Sequence, residues 1–444
     1  MVLKTVQKAM LTAALMAVMG VALAACSSSD ETVQPNASDN GVTTVARAEL
    51  PEKPAVEDYE TQDKLLEENR LNEAFLNELA AFSYRSAAAV LAEKPQDNGS
   101  FSPVSLYYAL AMTQMGAAGP TRDEIAAVLG SSSADADVVA QQCGNLMRLL
   151  ATDRQSNVKL ANSVWMRNDA AFKQPFIDAM SSQFYASLFL VNFGTPETDR
   201  AMGQWIADNT EGTLNPTFES KQGQLLSLIN TVYFKSEWAK AFDVEATQSG
   251  TFAAESGDMQ AGFMCQRLDR PCEYRQTDSY TRASLGFMDG SEMTFVLPTE
   301  GMSVQDILTD KSLLEEAFSG ESTGEAFITY RVPKFTFDSS YRLVPVLEQL
   351  GMTTAFGDQA DFSNLTDIPA YVSSVVQESH IGLDENGVEA SAYTKVDVME
   401  MSALPDPSVI GELEFNLDRP FLYEIRSRQG ASLFIGVCAQ PDVA

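Results

Sequence analysis

The sequence predicts an α+β fold. Segments of helical period crowd the first part of the chain, and β-branched and aromatic runs of strand length crowd the last. The 444 residues are 45% hydrophobic and only 20% charged, enough to bury one large core. No internal repeat is visible, and no linker composition appears after residue 62. One domain over residues 65–444 is the simplest organisation.

The elements follow in order. From Leu65 to Leu91, Leu71, Phe75, Leu79 and Phe82 recur at helical spacing. Ser102-Pro103 starts a second helix, with Ser as cap and Pro in the first turn. It runs through Leu106, Leu110 and Met112 towards Gly116. Thr121-Arg122-Asp123-Glu124 reads as a capping box, with Ile125, Val128 and Leu129 on one face and Gly130 as the stop. Leu225–Phe234 is nearly continuously apolar or β-branched, as in a strand buried on both faces. Met293–Leu297, Ala326–Val332, Val372–Val376, Phe421–Ile425 and Leu433–Val437 are further strands. Leu343, Leu347 and Leu350 mark a short helix ended by Gly351.

Composition excludes some functions. Thirty Lys and Arg face 61 Asp and Glu, a net charge of −31, and such a surface repels nucleic-acid phosphates. The N-terminus reads as a targeting segment: Lys4 and Lys8 precede an apolar stretch from Ala9 to Ala25 that is short for a membrane span. It ends in Leu23-Ala24-Ala25-Cys26, which resembles the bacterial lipobox. That resemblance implies a signal peptide over 1–25, a lipidated Cys26, and a chain held in the bacterial cell envelope, at the outer membrane, by its lipid. The polar run Ser27-Ser28-Ser29-Asp30-Glu31 reads either as a surface-export signal or as a plain spacer. Residues 26–64 carry the lipidated Cys and a disordered tether rich in Pro and Glu. Cys143, Cys265, Cys272 and Cys438 are either free thiols or include a Cys265–Cys272 staple. None of their spacings suggests zinc or another metal.

The most informative stretch is Glu385-Asn386-Gly387-Val388-Glu389-Ala390-Ser391-Ala392-Tyr393-Thr394. At strand period, Val388, Ala390, Ala392 and Thr394 share one face, and Glu389, Ser391, Tyr393 and Lys395 share the other. The first face could enter a packed sheet and the second could stay in water.

Five motifs in order then resemble the serpin family over essentially all of residues 65–444. They are Asn98-Gly99-Ser100-Phe101-Ser102-Pro103-Val104-Ser105-Leu106 with Gly116-Ala117-Ala118-Gly119-Pro120-Thr121, and Leu228-Ile229-Asn230-Thr231-Val232-Tyr233-Phe234-Lys235-Ser236-Glu237-Trp238. Val332-Pro333-Lys334-Phe335 with Leu350-Gly351-Met352, Asp418-Arg419-Pro420-Phe421, and Leu433-Phe434-Ile435-Gly436 complete the set. The resemblance implies roughly nine helices around three β-sheets and an exposed reactive-centre loop. It also implies a suicide-type inhibitor of a serine protease: the target forms an acyl-enzyme with the loop, which then inserts as a strand of the main sheet. The alternatives are a non-inhibitory serpin serving as a surface binding module, and an inhibitor of a papain-like cysteine protease.

The resemblance also assigns residues. The hinge is Glu385, Gly387, Val388, Glu389, Ala390, Ser391, Ala392 and Thr394, where the small inward residues favour insertion. Val388 replaces the usual Thr or Ser, and Tyr393 falls on the outward parity. Counting from Gly387 puts the scissile bond at Met401–Ser402, which fits an elastase- or chymotrypsin-like pocket. Ser102, Ser105 and Asn230 match a hydrogen-bonded cluster beneath the main sheet. Gln377 stands where the family usually has His, counting back from Glu385. Lys334 and Glu385 match a bridging pair at the top of the sheet, and Trp238 matches the aromatic packed there. No cofactor is implied. No heparin-type activator is expected either, since Ala134–Leu150 holds only Arg148 as a base. The expected partners are a protease and, through the lipid, a membrane, with the protein a monomer. An enzyme is disfavoured: His380 is the only histidine, and no nucleophile elbow, metal pair or phosphate loop is present.

Overall fold

A computed structural model describes residues 32–33, 41–55, 57–153, 155, 157–388 and 411–443. Cys26, Glu389, Ala390, Ser391, Ala392, Tyr393, Thr394, Met401 and Ser402 lie outside the described residues.

The chain opens with β1 (Thr32–Val33) and β2 (Val42–Ala46), then α1 (Tyr59–Glu68), α2 (Glu73–Leu91), β3 (Gly99–Phe101), α3 (Pro103–Gly116), α4 (Gly119–Leu129) and α5 (Ala136–Thr152). β4 (Lys159–Arg167), β5 (Phe172–Lys173), α6 (Gln174–Ser182), β6 (Ala186–Val191), α7 (Pro196–Asn209), β7 (Leu226–Tyr233) and β8 (Ser236–Glu237) follow. A run of strands comes next: β9 (Gln248–Ala254), β10 (Gly257–Arg267), β11 (Cys272–Gln276), β12 (Tyr280–Gly286) and β13 (Glu292–Pro298). After α8 (Val304–Thr309) and α9 (Lys311–Ser319) come β14 (Gly324–Pro333), β15 (Phe335–Arg342), α10 (Val344–Gln349), β16 (Val376–Leu383) and β17 (Gly387–Val388). β18 (Gly411–Asn416), β19 (Phe421–Arg426) and β20 (Ser432–Cys438) close the chain. Ten α-helices thus stand among the described residues, against the roughly nine expected, and the α+β class holds.

The largest sheet has ten strands, in the order β3-β20-β19-β13-β12-β11-β14-β10-β9 with β18 parallel on β14. Two four-stranded sheets, β2-β6-β4-β7 and β15-β16-β17-β8, adjoin as two halves, because β8 follows β7 after two residues. α3 packs beneath them, and Val104, Tyr107, Tyr108 and Met112 on it are wholly buried. A second, smaller core joins α7 to the first half through Trp165, Val191, Phe193 and Met202.

Several expectations need correction. The helical stretch 65–91 is two helices, because Asn72 caps a new start by accepting from the Phe75 N–H at 2.6 Å. The Thr121–Glu124 capping box does not form. α4 begins earlier, at Gly119, so Thr121 and Glu124 sit inside it and are free to reach elsewhere. Glu124 accepts from the N–H groups of Thr353 and Thr354, and Thr121 from that of Asp361. The strand placed at Val372–Val376 begins only at Val376, because the Val372 N–H is taken by the Ala355 carbonyl and the Val375 carbonyl by the Leu343 N–H. The disordered tether of 26–64 is ordered in part. The β-branched run Val42–Ala46 adds antiparallel to β6, and Tyr59–Lys64 begins α1. The four described cysteines are free. Cys265 faces Arg331 and Cys272 faces Ala326 on the same partner strand β14. Five residues along a strand span about 16 Å, far beyond a disulfide's reach of about 7 Å.

Candidate functional site: a sheet parted along one seam

β7 and β16 are the inner strands of the two half-sheets, yet among the described residues they share no ladder. A narrow cleft separates Val232, Tyr233 and Phe234 from His380, Ile381 and Val388. The run Leu225–Phe234 does form a strand, but most of β7 is half-exposed rather than buried on both faces.

Among the described residues, the two halves meet at one end of the seam. There β17 lies between β16 and β8, with Val388 opposite Leu383 on one side and Ser236 on the other, and Gly387 opposite Glu237. Val388 is 3% exposed, so its side chain faces the core, as its parity predicts. Gly387 is required by close approach: a Cβ there would collide with the Ser236 carbonyl. The chain enters β17 through a tight turn, in which Asp384 Oδ1 accepts from the N–H groups of Asn386 (2.8 Å) and Gly387 (3.2 Å).

Side chains lock this end. Trp238 is buried, donates from Nε1 to the Asp384 carbonyl at 3.0 Å, and stacks on Phe287 at 4.5 Å between centroids. Its backbone N–H reaches the Asn386 carbonyl at 2.9 Å. Glu385 is buried as well; it pairs with Lys334 Nζ at 3.2 Å and accepts from Thr247 Oγ1 at 2.8 Å. Burial pushes the Glu385 carboxyl up, but the hydrogen bonds from Thr247 and the backbone, with Lys334, outweigh it and hold the group below its ordinary range.

Beneath the seam the polar residues fall into two groups rather than one. On the β16 side, the Ser102 N–H donates to Gln377 Oε1 at 2.8 Å, and Gln377 Nε2 donates back to the Ser102 carbonyl at 2.9 Å. Ser102 Oγ accepts from the Ser105 N–H, capping α3. Ser379 Oγ donates to the Ser100 carbonyl at 2.6 Å. On the β7 side, Asn230 Nδ2 donates to Asn162 Oδ1 at 2.7 Å. Asn230 therefore does not join Ser102, Ser105 and Gln377, and its buried Oδ1 has no partner among the described residues. The open seam lies between the two groups. Sequence reasoning missed Asn162, Thr247, Asp384 and Ser379, although Asp384-Glu385-Asn386-Gly387 carries a turn signal. His380 sits on β16 and pairs with Asp338 of β15 at 2.6 Å, which suits a cross-strand partner better than a catalytic base.

Residues 77–441 match the family model described as Serpin (serine protease inhibitor). The chain belongs to the serpin family. Serpin-Z2B of Triticum aestivum is 29% identical to it over 385 residues, covering 81% of this chain and 94% of that protein. Alpha-1-antiproteinase 2 of Equus caballus is 27% identical, covering 82% and 86%. Among solved structures, the thermophilic serpin Tengpin in its native state superposes with a TM-score of 0.73 at 23% identity, over 90% of this chain and 99% of that one. Cleaved Serpin 42Da gives 0.70 at 23%, over 83% and 98%. These two likenesses establish the shared fold. Serpins are generally protease inhibitors, although some inhibit nothing.

Proposed function

We propose that this serpin is a suicide-type inhibitor of an elastase- or chymotrypsin-like serine protease, trapping the acyl-enzyme by feeding its reactive loop into the seam between β7 and β16. The observation that carries the reading is β17, because the strand that insertion would build already has its first two residues in place.

In an inserted strand that continued those registers, Ala390 would meet Ile381, Ala392 Ser379 and Thr394 Gln377 on β16; on β7 and the residues after it, the same three would meet Phe234, Val232 and Asn230. Every inward position from Val388 on is small or medium and uncharged, and the β16 residues they meet are buried. Thr394 would arrive between the two polar groups, within reach of the Asn230 Oδ1 that now lacks a donor. Outward, Glu389 would fall beside Lys235, and Tyr393 beside the exposed Glu378 and the buried Thr231. A passive binding module has no use for this match between loop and seam.

Met401–Ser402 serves as the bait bond, since a Met at that place fits an apolar pocket and not one that demands Lys or Arg. The lipobox-like Leu23-Ala24-Ala25-Cys26 places the inhibitor in a bacterial cell envelope, held by acyl chains on Cys26. Incubation with pancreatic elastase, followed by denaturing gels, tests the mechanism. A covalent complex and a released peptide beginning near Ser402 are expected. Clean cleavage without a complex would overturn it, and trapping of papain in place of elastase would reassign the target class.

A further inference from the structure

The first described residues enter the body at the end of the main sheet opposite the closed seam. β1 pairs Val33 with Phe172 and Thr32 with Lys173 of β5. β5 follows the end of β4 at Arg167, whose neighbour Met166 pairs with Leu226, the start of β7; the closed end lies past Tyr233, the other end of β7. β2 then climbs from Val42, opposite Val191, towards Ala46. The base defined by β5 and the closed end at β17 are separated by the length of β16, about 25 Å or more.

The same base carries exposed apolar side chains. Ten large apolar or aromatic residues are exposed among the described residues, and three of them, Ile368, Tyr371 and Val376, fall within nine residues of one another. This segment sits on β5: the Lys173 N–H reaches the Leu365 carbonyl at 2.9 Å, Thr366 Oγ1 reaches the Ala171 carbonyl at 2.7 Å, and Lys173 Nζ pairs with Asp367 at 3.1 Å. It then leads into the start of β16, far from the hinge. Tyr371 is 59% exposed and Ile368 39%.

We propose that this base is a lipid-facing surface, on which Ile368 and Tyr371 enter the headgroup layer while the closed end of the seam points away from the bilayer. The inference rests on acylation of Cys26. Chain length argues for it: six residues run from Cys26 to Thr32, a reach of at most about 20 Å. An anchor there holds the base of the body, with β5 and the Ile368–Tyr371 segment, near the membrane. An exposed Tyr beside an exposed Ile has the chemistry of a membrane interface, one end apolar and one end wet. The acidic chain, at −31 over its full 444 residues, keeps the rest of its surface from an anionic lipid.

Two single-tryptophan additions test the orientation. Tyr371→Trp reports from the base, and Met288→Trp from the closed end, where the Met288 N–H bonds the Glu237 carbonyl and the side chain is 46% exposed. The native tryptophans are a background common to both. The acylated full-length chains are reconstituted in phosphatidylcholine vesicles with and without brominated acyl chains. The added emission of Tyr371→Trp should shift to the blue and fall at least twofold with brominated lipid, while that of Met288→Trp should not change. Equal quenching of both, quenching of Met288→Trp alone, or quenching of neither would overturn the orientation. Flotation with the vesicles reads the acylation separately. If the chain does not float, the anchor reading fails, and the orientation is then decided by the same quenching on mature chains held to nickel-chelating lipid through N-terminal histidines.

Discussion

Along β6, the outer edge of one half-sheet, β2 completes the ladder from Val42 to Ala46, and Ala48 adds a backbone bond to Ser187 Oγ at 3.2 Å. Along the inner edge of β7, the side away from β4, no strand ladder forms among the described residues, and Asn230 keeps a buried acceptor with no donor among them. Exposed edges invite stray pairing and are ordinarily covered. Here a five-residue strand outside the matched family region covers the outer edge, and among the described residues the two halves are joined through β17, which pairs with β16 and β8. One edge is covered by a described strand; on the proposed mechanism the other receives the loop.

That contrast can be broken from either side. The largest effect is expected at the inner edge. Ala390→Asp would drive a carboxylate towards Ile381 and Phe234 during insertion, a burial too costly to complete quickly. The number of inhibitor molecules consumed per elastase should rise at least tenfold, with the loop still cleaved, and gel densitometry reads both. Gln377→Ala comes next. It strips the buried Ser102 N–H of its acceptor, and about 2 kcal/mol of stability should be lost in urea unfolding. Val42→Asp addresses the outer edge. Val42 packs against the Trp165–Met202 core under α7, and about 1–2 kcal/mol should be lost while the stoichiometry with elastase stays as in the parent. A change in stoichiometry there would show that the two edges are not independent.

The smallest effect is a pH dependence at the closed end. The Glu385 carboxyl lies below its ordinary value of 4.5 in the fold, so its contribution is complete above that value and is lost as pH falls through the lowered one. Below that window Lys334 and Thr247 lose their charged partner, and hydrogen exchange at Gly387 and Val388 should quicken. Glu385→Gln should flatten that acid limb without moving the neutral baseline of β16. An unchanged acid limb would remove Glu385 from the closure.

Much of this was legible in the sequence because the decisive residues are unusual for local reasons. Gly387 stands where no Cβ fits, Val388 has the parity of a buried strand residue, and Ser102 with Pro103 announces a helix start. What the sequence hid depends on distant partners. Asn162 is an ordinary polar residue until β4 brings it beside Asn230, 68 positions away. Thr247 matters only because the fold carries Glu385 to it, 138 positions away. The Val42–Ala46 strand is too short to announce itself beside its Pro- and Glu-rich neighbours, and the edge of β6 gives it structure. Val372–Val376 misled in the opposite way, since β-branched residues imitate a strand where other partners take the backbone groups.

Heat unfolding of intact and loop-cleaved protein, measured side by side, tests the open seam most directly. An inserted loop would add roughly a dozen backbone hydrogen bonds at a net ~1 kcal/mol each, and the cleaved form should melt roughly 20 °C higher. Equal melting temperatures would contradict the account, because the seam between β7 and β16 would then not be a place the loop can fill.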